Sequence, residues 1–284
     1  MHSWKIERWI EPSEIKNIGY SAYWNDEGLE KDKEFYVLDG NFSKMENFIK
    51  KSGMDADLKM CVDALNKIFG RELTGTGIEL GAGNLWAVPH IFYCGKGKIE
   101  KMHCLEYSEH RLLKIGPKVL EHYRISPDSV TLVLGSFYNL KLDDGSMDFA
   151  FLFQSFHHAD DPDKLLSEIR RVLKPSGVVI MIGEEDMNFN KRIETIYQIY
   201  FKHMIKFIIS SFMPLRLQQK FFRKSFNVNT FLPALKTFFP SDPVLGDHRY
   251  TLSEYRKMFS KHGFKFRRLI RPGAEHCSFI LALN

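Results

Sequence analysis

Between about residues 56 and 185, short and almost continuous apolar runs alternate with longer segments in which apolar residues recur every three or four positions. Apolar runs of about four to eight residues are typical of buried strands, and the longer period is typical of amphipathic helices. Strands that alternate with helices predict an α/β fold with a doubly wound, mostly parallel sheet. The predicted strands are 77–80, 98–105, 130–134, 147–153 and 178–182.

The sheet is predicted to continue near the C-terminus. Thr251 and Glu254 have the spacing of a capping box, which predicts a helix over residues 251–262. Two further strands, expected to pair in antiparallel fashion, are 264–270 and 277–283. We therefore predict a seven-stranded sheet whose last strand is antiparallel to the others.

A different kind of sequence separates the fifth strand from that helix. Residues 187–246 are rich in aromatic residues, and their apolar positions have helical spacing. Between residues 187 and 226, eight Lys or Arg residues oppose the single acid Glu194, a formal charge of +7, whereas the whole chain carries +5. The predicted parts of the chain are a helical N-terminal cap segment at 1–54, a core at 55–186, a basic helical insertion at 187–246 and the C-terminal part of the core sheet at 247–284.

The composition is that of an ordinary soluble globular protein, with 44% hydrophobic and 26% charged residues. The N-terminus lacks the basic start and apolar core of a signal peptide. The longest apolar piece, near 207–213, is far shorter than the roughly 20 residues that cross a bilayer. The four cysteines form no C-x-x-C pair. We therefore expect a cytoplasmic protein with reduced thiols and without a metal site.

The first predicted strand ends in the sequence Gly77-Ile78-Glu79-Leu80-Gly81-Ala82-Gly83-Asn84. Two closely spaced glycines after a buried strand are typical of a tight turn into a helix, where open α/β sheets bind nucleotide-like ligands. Glycine tolerates positive φ and has no side chain, so the backbone N–H groups of this turn are expected to approach a ligand closely. The turn is the first candidate for a binding site.

Other polar residues stand at the ends of predicted strands. Glu106 ends the second strand, in the position where dinucleotide-binding proteins place a carboxylate on ribose hydroxyls. Gln154 and Ser155 follow the fourth strand, and two histidines come directly after them. Because ligands bind outside the carboxyl ends of parallel strands, these side chains are expected to meet in one cleft.

Glu79-Leu80-Gly81-Ala82-Gly83 resembles the first motif of the class I S-adenosylmethionine-dependent methyltransferases. The resemblance extends over residues 56–185 and 250–284, and it implies a Rossmann-like methyltransferase fold with S-adenosylmethionine as methyl donor and S-adenosylhomocysteine as product. The segments that follow in the family's order are Glu106, Gly135-Ser136-Phe137, Phe153-Gln154-Ser155-Phe156-His157-His158, Leu173-Lys174-Pro175-Ser176-Gly177 and Lys261-His262-Gly263-Phe264.

The resemblance also implies the residues of the site. An alcohol acceptor would need a general base, for which the candidates are His157, His158 and His248. Three features depart from the family pattern: Leu85 stands at the third glycine position, Ser136 replaces an aspartate, and Trp86 and Pro89 make the first helix of the domain unusual. The residues implied to bind the cofactor are Glu79, Gly81, Ala82, Gly83, Asn84, Glu106, Tyr107, Gly135, Ser136, Phe137, Gln154 and Ser155.

The acceptor is expected to be a small molecule that is methylated at oxygen or nitrogen. The +7 charge of residues 187–226 favours an anionic, lipid-linked or sugar-linked acceptor, or a peripheral contact with an anionic membrane. No nucleic-acid partner is expected, since no recognised module is visible. One alternative is a non-catalytic binding subunit with the same fold, which Leu85 and Ser136 keep open. The other is an NAD-dependent oxidoreductase, although Trp86 occupies a glycine position of that motif.

Overall fold

The computed structural model describes residues 3–11, 40–186 and 247–283, together with the isolated positions 205 and 212. The strands are β1 Lys5–Arg8, β2 Gly75–Leu80, β3 Ile99–Glu106, β4 Val130–Leu134, β5 Met147–Phe153, β6 Leu173–Glu184, β7 Phe264–Leu269 and β8 Cys277–Leu283. The helices are α1 Phe42–Ser52, α2 Met54–Phe69, α3 Ala87–Cys94, α4 Gly116–His122, α5 Pro162–Val172 and α6 Leu252–Lys261. Most of the N-terminal cap segment and nearly all of the insertion predicted at 187–246 lie outside the described residues.

One mixed sheet organises these elements, with the strand order β1-β4-β3-β2-β5-β6-β8-β7. All pairings are parallel except those of β8, which runs antiparallel to β6 and β7. The predicted doubly wound, mostly parallel sheet with an antiparallel last strand is confirmed. The described chain has eight strands, one more than predicted, because β1 adds an edge strand beside β4. Its side chains are largely exposed, so no buried apolar run marks it in the sequence.

The chain reverses its direction across the sheet between β2 and β5. The strands that follow β2 lie on one side of it, whereas β5 pairs with its other side, with Gly77 opposite Phe149. Such a switch point leaves a crevice at the carboxyl ends of the two central strands. The topology therefore places a binding site directly after Leu80 and Phe153.

Helices cover both faces of the sheet. Leu58 and Leu65 of α2 belong to one apolar cluster, and Leu165 and Ile169 of α5 belong to the cluster on the opposite face. The central strands are buried on both faces, which explains why they appear in the sequence as nearly continuous apolar runs. Among the described residues, no helix combines the length and the apolarity that crossing a bilayer requires.

Side chains cap the starts of α5 and α6, and the capping box predicted at α6 is confirmed. The Asp161 carboxylate accepts a hydrogen bond of 2.9 Å from the Lys164 N–H at the start of α5. At α6, the Thr251 hydroxyl accepts from the Glu254 N–H, while the Glu254 carboxylate accepts from the Thr251 N–H. Each contact satisfies backbone donors that the first turn of a helix leaves unpaired.

In the turn between β2 and α3, a residue other than glycine adopts a positive φ. Leu85 has a φ of +62°, in the left-handed region that costs an L-residue about 1–2 kcal/mol. Its side chain is fully buried and lies against Gly116, where an added Cβ would stand 2.5 Å from Leu85 Cδ1. The missing side chain at Gly116 thus makes room for Leu85, and burial of Leu85 offsets the cost of its backbone conformation.

We expect Gly116→Ala to destabilise the protein by about 1–3 kcal/mol, because the new methyl group would overpack against the fully buried side chain of Leu85. In a Leu85→Ala background the same substitution should cost nothing or stabilise, since alanine has the higher helix propensity. Urea unfolding of the four proteins of this double-mutant cycle measures the coupling free energy. Equal effects of Gly116→Ala in both backgrounds would contradict the packing argument.

Candidate functional site

A cleft with a volume of about 420 Å³ opens at the carboxyl ends of β2, β3, β5 and β6. This volume lies in the range of small-molecule sites. The predicted site residues that line it are Glu79, Gly81, Ala82, Gly83, Asn84, Glu106, Tyr107, Phe137, Gln154, Ser155, His157, His158 and His248. Gly135 and Ser136, also predicted to bind the cofactor, are not among the lining residues. The sequence prediction did not include Trp86, Arg111, Phe153, Gly183, Glu185, Asp247, Arg249 and His276.

The glycine turn forms the floor of the cleft. Gly81 has a φ of +74°, and a Cβ built on it would lie 2.7 Å from Ser155 Cβ. The N–H groups of Gly81 and Ala82 both donate to the Leu105 carbonyl at 2.9 Å. The expectation that these N–H groups face a ligand is therefore wrong. The glycine instead permits close packing of the ends of β2 and β5 at the floor of the cleft.

The Glu106 carboxylate is held in place by backbone donors. Its Oε2 accepts from the Gly83 N–H at 2.8 Å, and its Oε1 accepts from the N–H groups of Tyr107 and Ser108, each at 2.9 Å. A carboxylate offers about four lone-pair positions, so at least one remains for a ligand hydroxyl. The arrangement fits a ribose hydroxyl at the end of β3.

Two buried polar side chains at the cleft have atoms without partners among the described residues. Glu79 and Asn84 are each 1% exposed, and the atoms concerned are Glu79 Oε2 and both polar atoms of the Asn84 amide. Burial raises the pKa of Glu79 well above its usual range, and the nearby charge of Glu106 raises it further. Buried polar atoms without partners are costly, so the pair fits a ligand that brings hydrogen-bonding groups of its own.

The end of β5 is strained where it meets the cleft. Gln154 has a φ of +48°, and its N–H donates to the Ile182 carbonyl at 2.8 Å. A Cβ on neighbouring Gly183 would lie 2.5 Å from Gln154 Cγ, so only glycine fits beside it. The Ser155 hydroxyl donates to the Leu80 carbonyl at 2.6 Å and ties β5 to β2. Backbone strain of this kind clusters at binding and catalytic sites.

Histidines and carboxylates form the wall of the cleft that follows β5. His157 Nδ1 lies 3.0 Å from Oε2 of Glu184, which is fully buried at the end of β6. Burial opposes a proton on His157, but the charge and the hydrogen bond of Glu184 prevail and raise the pKa of the imidazole. His158 Nδ1 lies 3.0 Å from Asp247 Oδ1. Burial raises the pKa of Asp247, but His158 more than compensates and lowers it below its usual range.

His248 joins the same wall from a distant part of the sequence. The backbone N–H of His248 donates to the His157 carbonyl at 2.6 Å, and the ring Nε2 of His248 lies 2.9 Å from Asp160 Oδ1. The structure thus brings together all three histidines predicted as candidate bases. We name the side chains of His157, His158, Asp247 and His248 the histidine wall.

A sequence signal existed for part of what was missed. Glu184, Glu185 and Asp186 are consecutive acids directly after a buried apolar strand, the same position that singled out Glu106. Asp247 precedes His248 but follows the long insertion, so its distance from His158 in the fold is not visible in the sequence. Arg249 also lines the cleft, and its guanidinium lies 3.6 Å from the Glu185 carboxylate.

Comparison with known proteins agrees with this geometry. Residues 78–181 match a family model described as a methyltransferase domain. An uncharacterized 37.1 kDa protein in transposon TN4556 of Streptomyces fradiae is 43% identical over 58 residues, which are 20% of this chain and 16% of that protein. The chain thus spans about a sixth of the length of this curated relative.

Two solved structures share the fold. One is an S-adenosylmethionine-dependent methyltransferase of Leishmania major, with a TM-score of 0.53, 12% identity and coverage of 92% of this chain and 83% of that one. The other is a putative methyltransferase of Haloferax volcanii, solved with a methyltransferase activator, with a TM-score of 0.51, 15% identity and coverage of 84% and 92%. Residues 78–181 thus match a methyltransferase domain, and the two solved structures show that the described part of the chain has the fold of S-adenosylmethionine-dependent methyltransferases.

Proposed function

We propose that the protein transfers the methyl group of S-adenosylmethionine to an oxygen or nitrogen atom of a small molecule, which binds between the cofactor and the histidine wall. The observation that carries this proposal is that one cleft contains both the glycine turn with Glu106 and the three histidines. Cofactor and acceptor positions are therefore adjacent, as a direct methyl transfer requires.

The cofactor half of the cleft has groups suited to the parts of the donor. Glu106 would accept from ribose hydroxyls, and the unpartnered atoms of Glu79 and Asn84 would meet the other polar groups of the ligand. Phe137 offers an aromatic face at the same cleft. When bound, the cofactor supplies a methyl group already activated by the sulfonium. The protein has to orient the two reactants and exclude water.

The acceptor half is polar and partly open. The side chains of His157, His158 and His248 are 18%, 25% and 24% exposed, so they are accessible from the cleft. In the transfer the bond from the acceptor atom to the methyl carbon forms as the bond from carbon to sulfur breaks. The proton of an alcohol or ammonium acceptor leaves through the histidine wall to solvent.

The charge of the insertion supports a narrower proposal for the acceptor. Asp186 and Tyr250 form a β-bridge, so the chain leaves for residues 187–246 and returns from them at adjacent positions beside the cleft. The +7 charge of residues 187–226 would favour an acceptor with a phosphate or carboxylate, or one linked to a lipid or sugar. The same charge would also favour a peripheral contact with an anionic membrane.

The experiment is a transfer assay with methyl-deuterated S-adenosylmethionine. The purified chain is incubated with separate panels of phenols, aliphatic alcohols, amines and phosphorylated lipids, and S-adenosylhomocysteine and the labelled product are measured by mass spectrometry. We expect acceptor-dependent release of S-adenosylhomocysteine. Tight cofactor binding without transfer to any panel would favour the non-catalytic binding subunit.

Gly81→Ala should abolish measurable cofactor binding, because the added methyl group would stand 2.7 Å from Ser155 Cβ and would force apart the ends of β2 and β5 that line the cleft. Gly97→Ala is the matched control, since Gly97 has a φ of +77° but nothing within 4 Å of an added Cβ. Both substitutions place an alanine in a left-handed backbone conformation and carry the same energetic cost. Only Gly81→Ala also changes the cleft. Isothermal titration with S-adenosylhomocysteine compares them, and equal affinities would refute the assignment of the turn.

Reversing the charges of Lys220, Arg223 and Lys224 to glutamate should raise KM for an anionic acceptor several-fold and leave cofactor affinity unchanged. The control reverses Lys44, Lys50 and Lys51, three exposed lysines on α1. Both triple variants change the net charge by the same amount. Steady-state kinetics at two salt concentrations therefore separate an effect of the insertion on acceptor binding from an effect of the protein's net charge. Identical kinetics of the two triple variants would argue against an acceptor role for the insertion.

A further inference from the structure

Three potential metal ligands converge at the mouth of the cleft. His157, His158 and Asp247 each offer one ligand atom, and these atoms all lie within 4.8 Å of one another. The two histidines stand on the short helical turn after β5, and the aspartate stands before α6. Residues from two distant segments therefore form one cluster at the acceptor end of the cleft.

His157 is oriented in the way that metal-binding histidines are. Its Nδ1 is engaged by Glu184, which leaves Nε2 as the ligand atom. A carboxylate on the far nitrogen of a metal-binding histidine fixes its tautomer and ring orientation. Glu184 is itself held, since its Oε1 accepts from the Phe156 N–H at 3.2 Å and the Tyr255 hydroxyl lies 3.5 Å from its Oε2.

The surroundings of the cluster favour a cation. Glu184, Glu185 and Asp247 contribute three carboxyl groups, and Arg249 is paired with one of them, Glu185, at 3.6 Å. His158 Nδ1 and Asp247 Oδ1 are 3.0 Å apart, close to the spacing of two ligands of one ion. Ligand atoms of a tetrahedral zinc site lie about 3.3 Å apart, given bonds of about 2.0 Å. The remaining gap to the ligand atom of His157, at most 4.8 Å, would close by movement of His158 and Asp247, since Glu184 fixes the His157 ring.

We propose that His157, His158 and Asp247 bind a divalent transition-metal ion at the acceptor end of the cleft. Two imidazoles and one carboxylate suit Zn²⁺, Fe²⁺ or Co²⁺ better than Mg²⁺, which prefers oxygen ligands alone. Three protein ligands leave at least one coordination position open. That position faces the cleft, where the ligand residues are partly exposed.

An acceptor hydroxyl would bind the ion at the open coordination position. This inference about the acceptor rests on the proposed function. A hydroxyl oxygen bound to the ion loses its proton to solvent at a lower pH than an unbound one. That oxygen then forms its bond to the methyl carbon as the bond from carbon to sulfur breaks. The site therefore selects acceptors with an oxygen donor over simple amines.

The metal site is tested on the full chain after removal of metals by a chelator, with Co²⁺ as the probe. We expect one Co²⁺ per chain, with visible absorption bands of a nitrogen- and oxygen-ligated ion. Asp247→Ala and His158→Ala should abolish these bands, and Glu184→Gln should weaken Co²⁺ binding about 10–100-fold. The matched control is His262→Ala. His262 Nε2 also lies close to a carboxylate, 2.8 Å from Asp163 Oδ1, but neither His262, which follows α6, nor Asp163 on α5 lines the cleft.

Two results would overturn the metal site. One is the absence of a complex with one Co²⁺ per chain in the wild-type protein, and the other is unchanged Co²⁺ binding in both Asp247→Ala and His158→Ala. S-adenosylhomocysteine titration of the same proteins separates this inference from the proposed function. Retained cofactor affinity in Asp247→Ala is expected, whereas a wild-type chain that binds Co²⁺ but no cofactor would remove the proposed function and leave the metal site standing.

Discussion

The hydrogen bonds to the Glu106 carboxylate fix the geometry on which the rest of the site depends. Three backbone N–H groups, from Gly83, Tyr107 and Ser108, converge on one side chain at the end of β3. They tie the turn after β2 to the turn after β3, so the two loops that flank the switch point of the sheet cannot move independently. Charge-assisted hydrogen bonds of this kind are about twice as strong as neutral ones. The geometry of the cleft where the cofactor is proposed to bind is therefore set by the protein itself.

The parts of the fold that follow from local physics were predictable from the sequence. The buried strands β2 to β6 and β8 appear as apolar runs, and the starts of α5 and α6 carry their capping residues. Edge strand β1 was not predictable, because it lacks a buried apolar pattern and is defined only by its pairing with β4. The same limit applies to Leu85, whose left-handed backbone depends on the space left by Gly116 in a later helix.

In the candidate site, too, residues marked by the local sequence were predictable, whereas contacts between distant segments were not. Glu106 and Ser155 were predicted because the topology places the ends of parallel strands together, whereas Glu79 was implied by the resemblance of its motif; all three line the cleft. Asp247 was missed, since its contact with His158 joins segments on either side of the insertion. The match of residues 78–181 to a methyltransferase domain argues against an NAD-dependent oxidoreductase. Partner contacts through residues 187–226 stay a prediction, because that stretch lies outside the described residues apart from two positions.

The bridge between Asp186 and Tyr250 has a consequence for how such an enzyme changes over time. Both ends of the insertion are held next to each other by the core, so the sheet places no limit on the length of chain between them. Insertions and deletions there leave the strand register of β6 and β8 untouched. If residues 187–246 contact the acceptor, as proposed above, replacement of this single continuous segment would change substrate preference and leave the residues at the strand ends of the cleft unchanged.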